Sequence, residues 1–180
     1  MDDLPELSTL GRRIMIVGPT NAGKSTLAVA IGAKLGIPAQ HVDLLYHEPN
    51  TDWVQRPKPE FHALHEAAVA EPEWVMDGNY SAVMPARLQR ASGIIALDEA
   101  LARRYWRYFR RTLSQNRPGA LEGNQDSIKW SMIHWLWHTR RSGEKLRNMA
   151  QTSGLPVVVC RGERDLRTLY RAWGLTLPLA

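Results

Sequence analysis

The placement of apolar positions divides the chain into alternating strands and helices. Residues 12–17 (R-R-I-M-I-V) form a short apolar run suited to a buried parallel strand. Residues 24–35 (K-S-T-L-A-V-A-I-G-A-K-L) carry apolar side chains at helical spacing and break at Gly36 and Pro38. The same pattern predicts strands over 39–45, 73–76, 93–97 and 155–160. Helices are predicted over 59–70, 82–90, 99–113, 164–173 and, as one long Trp-rich segment, 128–151. Residues 46–59 hold three prolines, and 117–127 hold Pro118, Gly119 and Gly123, so both stretches read as loops. This alternation predicts an α/β domain of three layers, α/β/α, around a five-stranded parallel sheet. It spans 1–180, with a basic helix and a lid-like insertion at about 99–127. Ligands of such sheets bind outside the carboxyl ends of the strands. That directs attention to 18–25, Asp43, Asp77 and the segment after Asp98.

The turn between the first strand and the first helix reads Gly18-Pro19-Thr20-Asn21-Ala22-Gly23-Lys24-Ser25-Thr26. It fits G-x-x-x-x-G-K-[ST], the P-loop spacing. Gly18 and Gly23 let successive N–H groups converge on phosphate oxygens, and the helix N-terminus behind them adds partial positive charge. Lys24 would reach the β- and γ-phosphates of ATP, and the Ser25 hydroxyl would ligate Mg²⁺. The plainer reading is a glycine turn that opens a helix. A strand before the motif and a helix after it favour the nucleotide.

Composition narrows the partners. An apolar fraction of 44% with 23% charged residues is that of a globular domain. The net charge of +5 comes mostly from arginine, 18 residues against 5 lysines. Arginine suits bidentate grip on phosphate, so a phosphorylated ligand or nucleic acid fits the excess, and charge alone does not choose between them. Residues 1–6 are acidic with no apolar run behind them, and no apolar segment approaches the length of a membrane span. A cytoplasmic location is therefore expected. The single cysteine, Cys160, sits in V-V-V-C and reads as a buried core thiol.

Asp77 follows three apolar residues and precedes glycine. That is where a P-loop protein keeps the carboxylate that holds Mg²⁺ beside the loop serine, although an aspartate there could also cap the next helix. Asp43, near the end of the predicted second strand, could serve as base toward a substrate hydroxyl or shape the following loop through an Asx turn. Arg103, Arg107, Arg110 and Arg111 recur at helical spacing and, with Arg104 and Arg117, form the densest positive charge. They could stabilise a moving phosphoryl group or simply make a solvated face. Trp130 and Trp137 share a helical face, as do His134 and His138, and packing on the core or a partner chain is expected. His62, His65 and Glu66 lack the H-E-x-x-H pattern and are expected to face solvent.

Taken together, the chain resembles the P-loop nucleoside and nucleotide kinase superfamily, which contains adenylate and shikimate kinases. Within it the chain is most similar to bacterial DNA topology modulation proteins. The resemblance rests on G-P-T-N-A-G-K-S-T at 18–26, H-V-D at 41–43, W-V-M-D-G-N-Y-S at 74–81, the arginine helix at 103–111 and W-S-M-I-H-W-L-W at 130–137. It implies ATP on Gly18, Thr20, Asn21, Ala22, Gly23, Lys24, Ser25 and Thr26, with Mg²⁺ at Ser25 and Asp77. It also implies an acceptor site between Asp43, Trp53, Arg56, Asn79 and Arg87, lid arginines at Arg103, Arg107 and Arg111, and Arg161 to Arg164 near adenine. Adenylate kinases carry D-G-F-P-R where this chain has D-G-N-Y-S, which displaces the arginine expected for a nucleoside monophosphate. The implied activity is transfer of the γ-phosphoryl of ATP to a small molecule or nucleotide. The rival is a nucleotide-regulated DNA-binding ATPase, with the basic helix on phosphate backbone. No N-K-x-D or L-S-G-G-Q element supports a GTPase or an ABC-type ATPase. Whether the Trp-rich helix packs internally or makes a homodimer stays open in the sequence.

Overall fold

The computed structural model describes residues 4–114 and 130–176. Five strands form one sheet: β1 (Arg13–Val17), β2 (Ala39–His41), β3 (Trp74–Asp77), β4 (Gly93–Asp98) and β5 (Val157–Arg161). Their order is β2-β3-β1-β4-β5, and every pairing is parallel. The helices are α1 (Lys24–Leu35), α2 (Val42–Tyr46), α3 (Lys58–Ala70), α4 (Met84–Arg90), α5 (Leu101–Ser114), α6 (Trp130–His138), α7 (Ser142–Gln151) and α8 (Gly162–Ala172). The sequence reading of strand and helix alternation therefore holds. The 117–127 loop and the side chain of Arg111 lie outside the described residues.

Because side chains alternate along a strand, the central strands divide two cores between them. Ile14 and Ile16 of β1, Val75 of β3 and Ile95 and Leu97 of β4 join Leu27 and Ile31 of α1 and Leu169 of α8. Met15 and Val17, Trp74 and Met76, and Ile94 and Ala96 face the other way, onto Phe61 and Val69 of α3 and Ala150 of α7. Burial on both faces is why these strands read as continuous apolar runs. Cys160 lies in the first core, and burial pushes its thiol up to about 12.

Two of the predicted elements need correction. The second strand stops at His41, and Asp43 stands in the first turn of α2. A run such as V-D-L-L-Y fits strand or helix, and the helix wins by burying Val42 completely and seating Leu45 and Tyr46 against the α3 side of the core. The Trp-rich segment is likewise two helices, broken at residues 139–141. The Thr139 carbonyl accepts from Arg104 at 3.3 Å and from the Ser142 hydroxyl at 2.8 Å. Capture by a buried guanidinium redirects the chain there. Beyond the break, Gly143 lets α7 approach β4 so closely that a Cβ would stand 2.4 Å from Asp98 Oδ1.

The aromatics of α6 do not pack on this chain's core. Trp130 is 80% exposed, Trp135 and Trp137 are each more than half exposed, and only Leu136 is fully buried. His134 and His138 stack at 5.6 Å, both exposed. Among the described residues no group of three or more His, Cys, Asp or Glu could hold a metal, and no helix is long and apolar enough to cross a membrane. His65 is the reverse case. It is fully buried against Phe61, and burial, with the charge of Arg87 second, pushes its imidazole down to about 4.

Candidate functional site

The loop of residues 18–23 leaves the carboxyl end of β1, the middle strand, and delivers the chain into α1. Gly18 has φ +152° and runs so close to β4 that a Cβ would meet the Leu97 carbonyl at 2.6 Å. Gly23 has φ +96° at the N-cap of α1, and the first N–H groups of that helix have no acceptor within the helix. Asn21 also adopts a left-handed backbone, with φ +64°. Lys24 folds its ammonium back over the loop to donate to the Pro19 carbonyl at 3.0 Å. Thr26 follows, half-buried, in the first turn.

Asp77 ends β3, beside β1 and in register with Ile16. Its Oδ2 accepts from the Ser25 hydroxyl at 2.8 Å, and its Oδ1 is bonded to His41 Nδ1. His41 and Asp77 are cross-strand partners of β2 and β3, so the contact follows from strand register. Ser25 and Asp77, 52 positions apart in the chain, thus present two hard oxygen donors side by side at the mouth of the loop. Such a donor pair suits Mg²⁺, which takes one or two protein ligands and completes its octahedron with water and phosphate oxygens. Asp77 is not spent on capping the next helix, whose N-cap, Val83, lacks a side-chain hydrogen bond.

Asp43 lies across the same crevice. Its Oδ1 accepts from the Tyr80 hydroxyl at 2.7 Å. Burial, and then Asp43 itself, push the Tyr80 phenol upward, so it stays a donor. Around this pair the rings of Tyr46, Phe61 and Tyr80 lie 4.9–5.6 Å apart, and His47 meets Trp53 edge to face at 5.1 Å. Trp53 has φ +59°, and the loop that carries it returns to α2 through the Arg56 N–H on the Tyr46 carbonyl at 2.8 Å. Arg56 bonds Glu60 at 2.7 Å.

Two residues expected at an acceptor have other duties. Asn79 accepts from the Gly18 N–H at 3.2 Å and donates to the Gly18 carbonyl at 2.8 Å. Its side-chain amide extends the β1–β3 ladder by one rung and clamps the start of the loop. Arg87 has no exposed surface and donates to the Gly78 and Asn79 carbonyls at 2.5 and 2.9 Å. Burial lowers its guanidinium to about 10, still charged at neutral pH.

On the opposite flank α5 grips the loop. Arg104, fully buried, donates to the Thr20 carbonyl at 2.9 Å and to Thr139 Oγ1 at 3.0 Å. Arg107 donates to the Ala22 carbonyl at 2.8 Å and pairs with the buried Glu99 at 3.2 Å. Arg103 is bonded to Glu163 of α8, and Arg110 stacks over Trp106 at 5.0 Å. Arg161 and Arg164 are exposed at the end of β5 and the start of α8, beside a shallow cleft lined by Ala22, Leu97, Glu99, Gly162 and Leu166. A larger open cavity of about 440 Å³, lined by Pro38, Gln40, Ala67 and Glu71 at the β2–α3 edge, touches none of these groups.

His41 as the partner of Asp77, Asn79 as a clamp and Arg104 as a tether were not foreseen from the sequence. Arg104 had a signal, since Arg104, Tyr108 and Thr112 recur every four residues and all three are buried. Compared with protein-family models and with curated proteins, the chain matches none.

Proposed function

We propose that the chain is an ATP-dependent phosphotransferase that moves the γ-phosphoryl of ATP, with Mg²⁺, to the hydroxyl of a small acceptor held beside Asp43. The observation that carries this reading is the Ser25–Asp77 contact at the mouth of a glycine loop whose helix begins with Lys24. The 18–26 backbone and the α1 N-terminus would cradle the phosphates, and Lys24 would swing from the Pro19 carbonyl to the β- and γ-phosphates. Mg²⁺, when bound at Ser25 and Asp77, supplies charge that neutralises the phosphate oxygens.

Asp43 Oδ2 accepts the proton of the acceptor hydroxyl, whose oxygen bonds to the γ-phosphorus as the bond from that phosphorus to the β,γ-bridging oxygen breaks and ADP leaves with the electron pair. Tyr80, donating to Oδ1, orients the carboxylate. Arg103 and Arg107, bonded to Glu163 and to the Ala22 carbonyl, would have to exchange those partners to compensate charge on the transferring group.

The test is ATP consumption with Mg²⁺ across nucleosides, nucleoside monophosphates and small hydroxylated metabolites. Turnover should require an acceptor and fall by roughly 10²–10³-fold in Lys24→Ala. Slow hydrolysis that no acceptor changes, but that DNA accelerates, would replace this reading with the nucleotide-regulated DNA-binding ATPase. The exposed tryptophans of α6 with Arg140 over Trp137 at 4.8 Å favour that second reading. A cytoplasmic protein suits either.

A further inference from the structure

Asp77 divides its two oxygens between two partners. Oδ2 accepts from the Ser25 hydroxyl at 2.8 Å, and Oδ1 is bonded to Nδ1 of His41. A carboxylate only accepts, so Nδ1 carries the proton of that bond. The sheet places His41 for it, as the last residue of β2 and the register partner of Asp77 on β3. His41 is also the N-cap of α2, yet its side chain makes no capping hydrogen bond. The imidazole serves Asp77 instead. Asp77 is buried and the His41 side chain is only 10% exposed, so water competes weakly for the bond. Asp43, across the crevice, is held in the same one-sided way, with its Oδ1 on the Tyr80 hydroxyl.

This one-sidedness bears on the cation the site would take, given the phosphotransfer reading on which the inference rests. Mg²⁺ is small, demands an octahedron and keeps several of its waters, so a single oxygen from a carboxylate suffices. Ca²⁺ is larger, gathers more oxygens and often takes both from one carboxylate. A cation held by Ser25 and Asp77 Oδ2 leaves the bond to His41 whole. One that grips both oxygens must break that bond in a buried site, where an unmade hydrogen bond is costly.

We infer that His41 is a positioning residue for the metal. It holds Asp77 Oδ1, presents Oδ2 alone beside Ser25, and so selects Mg²⁺ over Ca²⁺.

The experiment uses the full chain and reads binding rather than turnover. The affinity of a fluorescent ATP analogue is measured with Mg²⁺, with Ca²⁺ and with EDTA, in the wild type, His41→Leu and His41→Asn. Asparagine can set an amide N–H where Nδ1 stands, whereas leucine fills the volume without a donor. The wild type should bind the analogue more tightly with Mg²⁺ than with Ca²⁺. His41→Leu should shrink that ratio by about 10-fold and leave affinity in EDTA unchanged, while His41→Asn keeps most of the ratio. Equal wild-type affinity in the two cations overturns the inference while the nucleotide site stands. So does an unchanged ratio in His41→Leu, as equal losses in Mg²⁺, Ca²⁺ and EDTA would give, or a ratio lost in His41→Asn. Should His41→Leu not fold, the wild-type preference and its retention in His41→Asn decide. If the wild type binds the analogue with neither cation, the phosphotransfer reading falls and takes the inference with it.

Discussion

The two flanks of the glycine loop are built from opposite chemistry. Toward β2 and β3 lie carboxylates and rings, with Asp77 on Ser25, Asp43 on Tyr80, and Tyr46, Phe61 and Tyr80 packed together. Toward α5 lie arginines, and the two nearest the loop are bonded to its carbonyls, Arg104 to Thr20 and Arg107 to Ala22. A dense run of arginine in sequence is thus not the same as a dense run of free charge. Arg104 and Arg107 tie down the oxygens of the loop, while on the other flank Asn79 ties down its first residue. The Thr20 and Ala22 carbonyls and the start of the loop are thus held from both sides, which fixes the backbone that opens α1.

This contrast can be broken from either side. The largest effect on stability should come from Arg87→Met, which leaves the Gly78 and Asn79 carbonyls without their donor in a dry site. A loss of about 3 kcal/mol is expected in denaturant unfolding. A loss near zero would mean that Arg87 is not the staple of the D-G-N-Y-S segment.

Arg104→Ala removes bonds to Thr20 and to Thr139 together and should cost about 2 kcal/mol. It should also weaken ATP-analogue binding, because the loop and the α6–α7 break lose their shared tether. Binding unchanged at reduced stability would confine Arg104 to packing.

His65 offers a test by pH. Its folded-state value near 4 lies below the unfolded value of 6.5, so the unfolded chain binds the proton first. Stability should therefore fall as pH drops from 6.5 toward 4 and lose nothing further through this group below that. Unfolding of His65→Leu followed over the same range should show a shallower slope, and an unchanged slope would place the acid sensitivity elsewhere.

The smallest effect is expected from Trp130→Ala, within about 0.5 kcal/mol, since the side chain is 80% exposed. A loss that grows with protein concentration would show that α6 is covered, as a homodimer would require.

Much of the site was legible because it depends on local spacing. The strand, the glycine turn and α1 from Lys24 to Leu35 are contiguous, so their periodicities and their glycines announce them. Asp77 was legible as the polar residue ending an apolar run. Asp43 was located at the correct strand end but in the wrong element, because five residues are too few to separate a strand from one turn of helix. The fate of the buried polar groups was not legible. Arg87, Arg104 and His65 have the composition of surface residues, and only their three-dimensional partners or packing put them inside.

By itself, then, the order of apolar runs determined a parallel α/β sheet with a glycine loop at the end of its central strand. Those features come from periodicity and from backbone angles open to glycine, which are properties of neighbours in the chain. The tertiary structure alone decided that His41 and Ser25 share Asp77, that Asn79 clamps Gly18, and that Arg104 breaks the Trp-rich helix at Thr139. Each is a hydrogen bond between groups 35 or more positions apart. Such bonds are set by strand register and helix docking, because a buried donor must find an acceptor wherever the fold brings one within reach.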